Sequence, residues 1–110
     1  MFNMMNWKKY AKEVYNYDMI TTFGNDFDIA EIFGPDGIQD TYKRAFNEWK
    51  GNYKYLTELV LILNWKIWQH WEAGDETTAR IYNDLWDKTA RYAAENLTGA
   101  ELDYYYRTTD

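Results

Sequence analysis

Residues 53–73 constrain the fold more than any other stretch. Leu56, Leu59, Val60, Leu63, Ile67 and the His70/Trp71 pair recur at the spacing of one helix face. Leu61, Ile62, Trp65 and Trp68 widen that face until little polar surface remains. A helix apolar on most of its circumference must be surrounded by others, so this segment is expected to be the central helix. Gly74 suits the position just past its end, and Asp75 suits the cap of a following helix. That helix is expected over residues 76–97, where Ile81, Tyr82, Leu85, Trp86, Thr89, Tyr92, Ala93 and Leu97 keep the same period. A break this short implies an antiparallel hairpin of the two.

The remaining segments supply shorter helices. Residues 26–33 read as one, capped by Asn25 or Asp26, with Phe27, Ala30 and the Ile29/Ile32/Phe33 cluster on its apolar side. Gly34 ends it, and Pro35 fits the first turn of the next, where its missing N–H costs nothing. Ile38, Tyr42, Ala45, Phe46 and Trp49 form the stripe of that helix, which runs to residue 50 with Gly51 as its stop. Thr98 and Glu101 match a capping box, opening a last helix to Tyr106 ahead of a loose tail. Near the start, Trp7, Tyr10, Ala11 and Val14 predict an amphipathic helix over residues 4–16, with Lys8, Lys9 and Lys12 opposite. Alternating β-formers leave a strand over residues 17–23 open. The expected architecture is all-α: one domain, residues 1–110, a compact bundle of five or six helices around a long central antiparallel hairpin.

Charge is distributed unevenly. Residues 13–42 hold seven acids and no Lys or Arg, whereas the other 80 residues hold all 12 bases against 11 acids. The segment therefore carries −7 and the rest of the chain +1, which together give the net charge of −6. Such a segment repels nucleic acid, whose phosphates need Lys and Arg, and attracts a basic protein surface. It also keeps an aromatic-rich chain soluble. Aromatic residues make up 20% of this small chain, so some rings are expected at the surface, where Tyr and Trp anchor interfaces. Trp65, Trp68 and Trp71 step around the helix cylinder, so at least one is expected to be exposed and to contact a partner or a second copy.

Few chemistries remain open. Without cysteine there is no disulfide, thiolate metal site or thiol nucleophile, which suits a reducing, cytoplasmic setting. The longest apolar run is residues 59–63, far short of a membrane span, and the first ten residues lack a signal peptide's apolar core. The lone His70 has Ile67, not Glu, three residues before it, so the di-iron spacing fails and a structural or exposed role is expected. Asp26 and Asp28 could open a calcium loop, but Ala30, Glu31 and Gly37 occupy the positions of its later ligands and invariant glycine. Asp84 and Asp87 read as a solvated face laced with Lys88 and Arg91. No enzyme, cofactor or metal is expected.

Residues 44–50 (Arg-Ala-Phe-Asn-Glu-Trp-Lys), 53–59 (Tyr-Lys-Tyr-Leu-Thr-Glu-Leu), 64–70 (Asn-Trp-Lys-Ile-Trp-Gln-His) and 104–110 (Tyr-Tyr-Tyr-Arg-Thr-Thr-Asp) carry a resemblance. Over residues 20–110 the chain is similar to small uncharacterised proteins carried on bacterial phages and mobile elements. In size, acidity and lack of active-site residues it also resembles anti-CRISPR and antirestriction proteins, a group with no common fold or signature. That resemblance implies a non-enzymatic inhibitor that binds a host defence protein.

The expected function is occupation of a basic, nucleic-acid-binding surface on a host protein. Asp26, Asp28, Glu31, Asp36 and Asp40 would stand where phosphates sit, nearby Tyr and Phe rings would add apolar anchoring, and Trp65 and Trp68 are further candidate partner contacts. No direct nucleic-acid or membrane contact is expected, and exposed rings would also permit a homodimer. Two alternatives stand beside it. Residues 28–46 resemble a helix-turn-helix of a DNA-binding regulator, with 36–46 as the recognition helix, although Asp36 and Asp40 in its leading turns oppose phosphate. A self-assembling structural protein is the other.

Overall fold

The computed structural model describes residues 18–109, with side chains from residue 24 onward. Every regular element among them is helical, as expected. Helix α1 (Asp18–Ala30) passes through a single 3-10 turn (Glu31–Phe33) into α2 (Gly34–Asn47). Helices α3 (Tyr53–Glu72), α4 (Glu76–Asn96) and α5 (Ala100–Thr109) follow. The helix expected over residues 4–16 lies outside the described residues.

Several boundaries differ from the sequence expectation, and α2 ends at Asn47 rather than at residue 50. Residues 18–23 are helical rather than extended, and α1 runs unbroken through Asn25 and Asp26, which therefore cap nothing. Gly24, Phe27 and Ala30 are buried at helical spacing, so packing of that face overrides a local capping preference worth about 1 kcal/mol. Residues 107–109 are helical rather than loose. Thr109 Oγ1 donates to the Tyr105 carbonyl at 2.7 Å, and buried Tyr105 ties α5 to the core.

Other signals act as their chemistry dictates. Asp75 Oδ1 accepts the Thr78 N–H at 3.1 Å and caps α4, and Asn52 Oδ1 accepts the Tyr55 N–H at 3.2 Å and caps α3. Gly34 turns the chain between α1 and α2 at φ +76°, a left-handed conformation that side chains resist. Pro35 then starts α2. At Gly37 the elbow is tight: an added Cβ would lie 2.4 Å from the Ala30 carbonyl oxygen and 2.8 Å from Phe33 Cβ.

Helix α3 is the centre of the molecule and packs against α1, α2, α4 and α5. Residues 55–63 are buried without interruption, followed by Trp65 and Lys66. On one side Leu59, Ile62 and Leu63 meet Phe27 of α1, Ile38 and Tyr42 of α2, and Tyr82 and Leu85 of α4. On the other, Leu56 and Val60 meet Ala93, Leu97 and Tyr105. Each fully buried Leu or Ile contributes about 2 kcal/mol, and α3 supplies Leu56, Leu59, Ile62 and Leu63 at that level. Polar groups inside this core are joined: Tyr42 Oη and Thr89 Oγ1 lie 2.6 Å apart, and Thr89 Oγ1 also donates to the Leu85 carbonyl. Glu58 is the exception. It is wholly buried, both carboxylate oxygens lack a hydrogen-bond partner among the described residues, and burial raises its pKa to about 8.

Candidate protein-docking face and the ion network behind it

The acids of residues 26–40 divide into a set paired with α3 and a set lining a groove. Asp28, which is exposed, and Glu31, which is partly covered, both reach a lysine of α3. Lys66, at the middle of α3 and wholly buried, is ion-paired with both: its Nζ hydrogen-bonds Asp28 Oδ1 and lies 2.9 Å from Glu31 Oε2. A lysine on a buried helix face must find a carboxylate, because an isolated ammonium in an apolar interior is too costly. Tyr82 Oη donates to the same Glu31 oxygen at 2.5 Å. Burial, then the adjoining Glu31 carboxylate, pushes the Tyr82 hydroxyl well above its ordinary range.

His70 completes this network from one turn further along α3. Its Nε2 lies 2.9 Å from Glu31 Oε1, an ion-pair contact without the alignment of a hydrogen bond, and its Nδ1 lies 3.5 Å from Asp75 Oδ2. Its ring stacks on Tyr82 at 5.5 Å between centroids, and Phe27 meets the Tyr82 ring edge-on. Hydrogen bonds from Thr78 hold the Asp75 carboxyl below its ordinary pKa. Glu31 therefore ties the 3-10 turn to α3 and to α4. The network fastens the fold: Glu31 is largely covered, whereas Asp28 keeps a 43% exposed side chain while paired with Lys66.

Asp26, Asp36 and Asp40 form the second set. They line one open groove between α1 and α2, together with Ile29, Ala30, Phe33 and Arg44. All three are exposed, and none has an ion pair to a described residue. Arg44 instead donates to Thr41 Oγ1 at 3.1 Å. The apolar side chains of this groove are open, Ile29 being 59% and Phe33 73% exposed, and the neighbouring Ile32, which does not line it, is 78% exposed. Water-facing aliphatic and aromatic groups on adjacent turns mark contact surfaces in soluble proteins.

The tryptophan row separates as its 300° step requires. Trp65 is buried in the core, which removes it from any partner surface, while Trp68 and Trp71 are about half exposed. They sit on α3, away from the α1–α2 groove that the exposed acids line. Asp87 pairs with Arg91 at 3.1 Å on the surface of α4, and Asp84 is exposed.

Sequence reasoning overlooked Lys66 as the partner of the acids, and Ile32 and Phe33 as exposed. A signal existed for the first: Lys66 lies within the most apolar helix of the chain. For the second there was none, since Ile and Phe beside a helix end ordinarily read as core. Among the described residues no three metal-ligating side chains converge, and no helix is long and apolar enough to cross a membrane. No protein-family model, curated protein or solved structure matches the chain.

Proposed function

We propose that this chain is a non-enzymatic, cytoplasmic binding protein of phage or mobile-element origin, an inhibitor that covers a basic, nucleic-acid-handling surface of a host defence protein. In this reading it is a bundle of five or six helices whose central α3–α4 hairpin acts as scaffold. The contact face is the elbow of α1 and α2. One observation carries the proposal: the large apolar side chains Ile29 and Phe33 stand exposed in the groove that Asp26, Asp36 and Asp40 line, and none of these three acids has an ion pair to a described residue. Carboxylates without internal partners attract cations, and the apolar groups gain by leaving water.

The experiment is capture of host proteins on the immobilised chain, with duplex DNA as competitor. Capture that DNA displaces, and that is lost in the Asp26→Lys/Asp36→Lys/Asp40→Lys variant while its helical circular dichroism persists, supports the reading. Capture indifferent to both removes it. Asp28 and Glu31 are unsuitable for charge reversal because it would place like charge against Lys66.

The exposed Trp68 and Trp71 favour a second reading, self-association through α3. Light scattering decides it: a strict monomer at high concentration excludes it.

A further inference from the structure

The groove between α1 and α2 differs from a phosphate-like array of charges, and the difference names its occupant. A surface that imitates nucleic acid presents carboxylates in rows with little between them. Here the row is interrupted. Ile29, Ala30 and Phe33 line the groove together with Asp26, Asp36 and Asp40, and Asp28 and Glu31 are held by Lys66. Arg44 reduces the charge of the groove to −2, so charge alone makes a weak grip. The groove is open to solvent and offers about 570 Å3, room for several side chains of a bound segment.

We infer that this groove takes a peptide segment carrying apolar side chains flanked by Lys or Arg, such as a basic amphipathic helix. The segment's apolar groups would rest on Ile29 and Phe33, and its cations would meet Asp26, Asp36 and Asp40. Alternation of apolar and acidic groups within one groove sets both requirements at once. A purely apolar segment would leave the three carboxylates without gain, and a purely basic one would leave Ile29 and Phe33 in water. This inference rests on the reading of the elbow as a protein-binding face and narrows the partner from a basic surface to a basic, apolar segment.

The test uses the full chain and three synthetic peptides of equal length: one of Lys and Leu in helical amphipathic order, one with Ser replacing Leu, and one with Glu replacing Lys. Only the Lys/Leu peptide should bind appreciably, and its amide shift changes in the chain should centre on Ile29, Phe33, Asp36 and Thr41. The Ile29→Ala/Phe33→Ala and Asp36→Asn/Asp40→Asn variants should each weaken it about tenfold. Asp84→Asn/Glu95→Asn, an equal change of net charge on exposed positions of α4, should leave it within about twofold.

Equal binding of the Lys/Ser peptide, equal loss in the α4 variant, shift changes centred on Trp68 and Trp71, or no binding of the Lys/Leu peptide would each overturn the inference. Failure here is separable from failure of the wider function. Host proteins displaced by DNA yet retained by Ile29→Ala/Phe33→Ala would refute the segment and keep the inhibitor. Groove binding by the peptide without any DNA-displaced host protein would do the reverse.

Discussion

Lys66 and Glu31, 35 residues apart in the chain, meet at 2.9 Å with the lysine side chain wholly out of water. The pair holds the 3-10 turn against α3, and Asp28 shares the same ammonium. Removing the cation strands two carboxylates beside the Tyr82 hydroxyl, although both keep some access to solvent. Lys66→Met is therefore expected to cost about 3 kcal/mol, read from urea unfolding. Adding Glu31→Leu and Asp28→Asn should recover most of that loss, because the uncompensated charges go with it. A single variant as stable as the parent would show the pair to be dispensable.

Glu58 makes stability depend on pH in a stated direction. Its pKa in the fold, about 8, lies above the ordinary carboxyl value of 4.5, so the folded state holds the proton more tightly than the unfolded chain. Its contribution is therefore most favourable below about pH 4.5, declines as pH rises, and is fully lost above about pH 8. Glu58→Gln should flatten this slope and raise stability at pH 8.5 by about 3 kcal/mol. Thermal unfolding of both proteins across that range measures it, and parallel curves would refute it.

Gly37 reverses the usual rule for glycine in a helix. Alanine there ordinarily adds about 1 kcal/mol of stability. Here its methyl group would lie 2.4 Å from the Ala30 carbonyl oxygen, so backbone must move. Overpacking of this kind costs about 1–3 kcal/mol and should win. Gly37→Ala is expected to lower the unfolding midpoint and to shift the amide signals of Ala30 and Phe33.

The tryptophans of α3 should separate by burial. Trp65→Ala is expected to cost about 4 kcal/mol, the value for a large ring removed from a core, whereas Trp68→Ala should cost under about 0.5 kcal/mol. Comparable losses in chemical denaturation would mean that Trp68 is covered in solution.

Much of this architecture is written in short-range pattern. The period of Leu56, Leu59, Val60 and Leu63 places α3 at the centre, and the chemistry of Gly74 and Asp75 places the break before α4, because both act over a few bonds. The candidate face was only half legible. Absence of bases from residues 13–42 is visible in the chain, but which acids are ion-paired depends on Lys66, a partner from another helix. Helix phase decides it: Asp28 and Glu31 lie one turn apart on the side facing α3, while Asp26, Ile29 and Phe33 line the groove toward α2. Without a reliable start for α1, which lacked the expected cap, that phase could not be read.

The closeness of Gly37 to Ala30 has a thermodynamic corollary. With no side chain at Gly37, the turn bearing Ile32 and Phe33 packs directly against the first turn of α2. If the elbow is the contact face proposed above, a turn packed in this way has less backbone freedom to lose on binding than an open loop.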